Sequence, residues 1–83
     1  MKPVELSKIP TERAIFNGAW SIIRRYYYMQ PKCVEWVKLV DEIDNIDGLG
    51  DNATDTASEV LAIDMALALF RYFEKLNEQR TKK

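Results

Sequence analysis

Histidine is absent from this 83-residue chain, and cysteine occurs once, as Cys33. Without His, a Ser-His or Cys-His nucleophile pair is excluded, as is a zinc site built from His and several Cys in one chain. One Cys cannot close an intrachain disulfide, so a disulfide-stapled secreted mini-protein is excluded too. Glycine and proline are scarce, with three of each, which leaves few obligatory turns. Long hydrophobic runs are also missing. The longest spans residues 65–70, far below the roughly 20 residues of a membrane-spanning helix. The first six residues, Met1-Lys2-Pro3-Val4-Glu5-Leu6, lack the apolar centre of a signal peptide. A cytoplasmic protein is the expectation.

What is present is apolar side chain and charge in balance: 47% hydrophobic residues, 12 basic and 13 acidic, for a net charge of −1. That composition suits one small folded domain. A core in a chain this short leaves only about 3–5 kcal/mol of net stability, so the two Trp, four Tyr and three Phe are needed as bulk. Charge is unevenly placed. Residues 1–40 sum to +4, residues 41–64 hold eight acids and no base, and residues 65–83 return to +3. The middle of the chain is an acidic block.

Pro3 and Pro10 mark residues 1–10 as an extended lead-in, with Thr11 as N-cap of a first helix. At 100° per residue, Ile15, Phe16, Ala19, Trp20, Ile22, Ile23, Tyr26, Tyr27 and Met29 occupy one half of the helical wheel. Arg13, Asn17, Ser21, Arg24, Arg25 and Tyr28 occupy the other. Gly18, costly in a helix by about 1 kcal/mol, reads as a point of close approach by another helix. Pro31 separates this helix from a second, where Cys33, Trp36, Val37, Leu39, Val40, Ile43 and Ile46 share a face. A β-hairpin across the Gln30-Pro31-Lys32 turn is the rival reading, because both flanks are rich in β-formers. Against it, Glu35 and Lys38 spoil the alternation.

Asp47-Gly48-Leu49-Gly50-Asp51-Asn52 reads as the one evident loop. A capping box, Thr56-Ala57-Ser58-Glu59, then opens the third helix, and 12 of the 14 residues at 60–73 are apolar. Such a helix needs cover on more than one side, inside the fold or at an oligomer interface. The predicted architecture is an all-α, three-helix up-down bundle. Its helices fall at about 11–29, 31–46 and 55–79, the third long and apolar, with a tail at 80–83.

No chemical motif assembles. The acidic loop fails the calcium-loop pattern: with Gly48 in the glycine position Ile43 takes the first ligand place, and with Gly50 there Leu49 takes the fifth. Asp44, Asp47 and Asp51 are instead candidates for an acidic protein-binding rim within residues 41–55. Arg24, Arg25 and Tyr28, with Arg13, are candidates for a basic, aromatic face able to meet phosphates and bases. Asp64, the one acid amid the apolar stretch, is expected in an exposed stripe or paired with Arg71. Cys33, Trp20 and Trp36 are expected in the core. Neither an enzyme nor a cofactor is indicated.

The pattern Phe16-Asn17-Gly18-Ala19-Trp20, followed by Tyr26-Tyr27 and by Trp36 with Leu39-Val40-Asp41-Glu42, resembles short uncharacterised proteins of prophages and integrative elements in Gram-positive gut bacteria. The resemblance covers residues 14–45. It implies a bacterial cytoplasm and a mobile-element origin, and no activity attaches to it. The expected function is that of a small helical accessory protein binding an unknown protein partner. A second copy, paired through the third helix, is one version of that partner. The alternative is weak nucleic-acid binding by the first helix.

Overall fold

The computed structural model describes residues 1–28, 35–51 and 55–81, with the side chain of residue 81 excluded. Three helices follow a short 3-10 turn at Leu6–Lys8: α1 at Pro10–Tyr26, α2 at Glu35–Asp51 and α3 at Thr56–Thr81. No strand occurs among the described residues, so the hairpin reading is discarded there. The fold is the all-α three-helix bundle that the 3.6-residue periodicity predicts.

Contacts give the directions. A β-carbon on Gly18 would collide with the end of the Ile46 side chain, and Arg25 is ion-paired with Glu42, so α1 and α2 run antiparallel. Glu12 meets Ser58 near the starts of α1 and α3, while Arg80 lies over the Tyr27 ring near their ends. Those two helices are parallel, and the order is up, down, up. Gly18 is the close-approach position expected of it.

The buried core is one row from each helix: Ile15, Ala19 and Ile22; Leu39, Ile43 and Ile46; Ala62, Ala66, Leu69 and Phe73. Spacings of three and four put each row on one helical face. Ala62 and Ala66 are small, and they let α2 and α3 come close.

Helix boundaries depart from the sequence reading in four places. Pro10 is the first helical residue after Ile9, with no side-chain cap. Its fixed φ and missing N–H suit that place, so Thr11 lies inside the helix. α1 ends at Tyr26, and Tyr27 and Tyr28 form a turn. The cap of α3 is Asp55, whose Oδ1 accepts the Ser58 backbone N–H at 2.7 Å, displacing the box expected from Thr56. The largest correction concerns the acidic loop. α2 continues through Asp47-Gly48-Leu49-Gly50 to Asp51. Gly50 is buried against α3, and a β-carbon there would stand 3.0 Å from Ala62 Cβ, 3.1 Å from the Glu59 carbonyl oxygen and 3.2 Å from Glu59 Cα. This glycine serves a helix crossing, not a turn.

Trp20 is also corrected. Expected in the core, it is 63% exposed, and Phe16 and Tyr27 on the same row are exposed as well. Val37, placed on the core face of the second helix, is exposed; Trp36 is half-buried against the core. Met29, Pro31, Cys33 and Asn52 lie outside the described residues. Among the described residues, no helix is long and apolar enough to cross a membrane.

Candidate protein-docking groove

The sequence of α1 carries two apolar rows of identical spacing, one residue apart. Ile15, Ala19, Ile22 and Tyr26 form the first; Phe16, Trp20, Ile23 and Tyr27 form the second. One residue of offset turns the second row by 100°. The first row faces the core, with three members buried and Tyr26 half-buried, whereas in the second only Ile23 packs against the core and the aromatics stand in solvent. Between that second row and α3 runs an open, apolar groove of about 450 Å³, lined by Phe16, Asn17, Ala19, Trp20, Ile23 and Met65. A further hollow of about 380 Å³ reaches from Phe16 and Arg13 to Leu6 and Ile9 of the lead-in. Exposed aromatics in a continuous apolar stripe mark interaction surfaces in small domains.

The charge beside the groove is of one sign. Arg13, Arg24 and Arg25 are exposed on α1, whose one acid, Glu12, is half-buried and receives the Ser58 hydroxyl. Arg25 is partly committed: it pairs with Glu42 on α2, donates through Nε to Ser21 Oγ at 3.2 Å, and lies 5.6 Å from the Tyr26 ring centroid. Arg13 and Arg24 therefore form the basic rim.

Beneath Arg25, Glu42 is the half-buried charge of the α1–α2 contact, and its Oε2 is buried with no hydrogen-bond partner among the described residues. Burial pushes its carboxyl towards higher pKa. Interaction with the Tyr26 hydroxyl, and bonding and charge from Arg25, outweigh that and hold the pKa below the ordinary 4.5. Tyr26 shows the reciprocal effect. Its bonding to Glu42, followed by burial, raises its phenol above 10.0.

The six candidate residues from sequence fall in separate places. Asp44, Asp47 and Asp51 are all exposed on α2, spaced by three and four residues, so the acidic rim is a helical strip and not a loop. Arg24 and Arg25 are exposed on α1, and among the described residues Arg25 is ion-paired with Glu42 while no ion pair involves Arg24. Tyr28 is exposed, packed edge-on to Tyr27 with ring centroids 5.0 Å apart, and the Arg80 guanidinium approaches both rings, at 4.9 Å from Tyr27 and 5.9 Å from Tyr28. Asp64 and Arg71 are both exposed on α3. Phe16 and Trp20, the residues that define the groove, both fall on the apolar half of the helical wheel, where the sequence places Trp20 in the core. The doubled row on α1 was the available signal, because an apolar arc that wide exceeds what two neighbouring helices cover. Among the described residues no cluster of three metal-ligating side chains occurs. Comparison with protein-family models, with curated proteins and with solved structures finds no match.

Proposed function

We propose that this chain is a small helical accessory protein of the cytoplasm that acts by binding another protein, and that its docking site is the groove beside Phe16, Trp20 and Ile23. The observation that carries the reading is Trp20. A tryptophan 63% exposed in mid-helix, flanked at four-residue spacing by an exposed Phe and an exposed Arg, gives up hydrophobic burial that the fold itself has not used. Rows of apolar side chains at such spacing suit a helix lying in a groove. The acidic strip at Asp44, Asp47 and Asp51 then supplies negative charge on the other exposed helix, steering orientation more than adding affinity.

Nucleic-acid binding by Arg13, Arg24, Arg25 and Tyr28 is less well served by this arrangement. Arg25 is tied to Glu42, and Tyr28 presents its ring to Tyr27 and Arg80. The exposed acids of α2 would also repel phosphates.

The test is affinity capture with the full chain and with a Phe16→Ser, Trp20→Ser double variant. Support is a protein retained by the first bait and lost from the second, with the loss reproduced using the purified pair. Equal retention on both baits refutes the groove. A salt-sensitive gel shift abolished by Arg24→Glu would put nucleic acid in its place.

A further inference from the structure

A second apolar surface lies on α3. Val60, Ile63 and Leu67 are 48%, 42% and 52% exposed, spaced by three and four residues along one face, with half-buried Phe70 continuing the row. This ridge is on the side of α3 away from α1. At 100° per residue its midline lies roughly opposite Met65, the α3 residue that lines the groove. The two apolar surfaces therefore point away from each other.

Their charges are complementary. Along its exposed part, residues 60–67, the ridge is bordered by exposed Glu59 and Asp64 and by no base of α3, while Arg71 and Lys75 follow beyond it beside Glu74 and Glu78; the groove is bordered by Arg13 and Arg24 with no exposed acid on α1. We infer that the groove's occupant is the α3 ridge of a second copy of this chain, so that copies join head to tail. The inference rests on the groove being a protein-docking site and goes beyond that reading by naming the partner. Symmetric pairing through the groove is disfavoured by the same charges, since two grooves face to face would set Arg13 and Arg24 against the same two bases with no acid to meet them. Groove against ridge matches an apolar hollow with an apolar row and basic rim with acidic rim. Because the surfaces lie on opposite sides, each copy that docks leaves one groove and one ridge open, and assembly grows with concentration.

Sedimentation velocity on the full-length chain over a concentration series tests this, using Trp20→Glu to close the groove and Leu67→Glu to close the ridge. Both side chains are exposed, and circular dichroism checks that each variant keeps its helices. The wild-type chain should form a concentration-dependent ladder of oligomers that shortens as salt is raised. Each variant alone should sediment as a monomer. An equimolar mixture of the two should form a dimer and nothing larger, because one intact groove then meets one intact ridge. Pairing by Leu67→Glu alone would show groove against groove, and pairing by Trp20→Glu alone ridge against ridge; either overturns the inference. A wild-type chain monomeric throughout overturns it too. In that case capture of a different protein, lost with the serine double variant, would leave the docking reading standing.

Discussion

The seam between α2 and α3 and the groove between α1 and α3 use the same long helix and the same class of side chain, yet one is closed and the other open. At the seam, Gly50 sits against the Glu59 backbone and Ala62, so the helix axes approach and Leu39, Ile43, Leu69 and Phe73 are sealed. At the groove, Phe16 and Trp20 stand about 100° round α1 from its core row, and no element among the described residues covers them. Burial is decided by the room that small residues make, and large apolar residues at an edge become surface.

The largest break in that comparison is Phe73→Ala. It empties the closed side of the bundle and should cost about 3–5 kcal/mol, comparable to the whole stability of so short a domain; urea unfolding measures it. Gly50→Ala comes next. The atoms it meets are backbone and a β-carbon, which cannot rotate away, so α2 and α3 must separate, at about 1–3 kcal/mol. Unchanged urea midpoints for this variant would mean the seam is looser than its distances.

The effect of pH falls on the α1–α2 contact. Glu42 is held below its ordinary pKa, so it binds fewer protons folded than unfolded, and its contribution is present above about pH 4.5 and lost as pH falls through the lowered value. Tyr26 is raised above 10.0, so its contribution is lost as pH climbs through the folded value. Glu42→Gln should flatten the acid limb of a urea-midpoint profile and also shift the alkaline limb, since Glu42 is the leading cause of the Tyr26 shift.

Smaller effects sharpen the contrast between glycines. A β-carbon at Gly48 meets nothing within 4 Å, so Gly48→Ala should stabilise by about 0.5–1 kcal/mol through helix propensity alone, opposite in sign to Gly50→Ala two residues on. The smallest change in stability belongs to the groove. Phe16→Ser with Trp20→Ser should leave the urea midpoint nearly where it was, since exposed positions contribute about 0.5 kcal/mol or less, while removing the partner.

Much of this fold was legible beforehand. Three helices, the close approach at Gly18 and the core positions Ile15, Ala19, Ile22, Leu39, Ile43 and Ile46 follow from apolar spacing. The Asp-Gly stretch was misread because a glycine that makes a turn and one that makes room for a neighbour look alike in sequence. Trp20 was misread because a helical wheel reports which side is apolar, and does not report how wide an arc the neighbouring helices can cover.

Residue order alone determined that the chain is helical and without a Cys-His or Ser-His constellation, since periodicity and composition are local properties. Which of the two apolar rows on α1 became interior was decided only when α2 and α3 packed. Glycine and alanine set the distance between those helices, and a bundle of three has no fourth helix to cover the remaining edge.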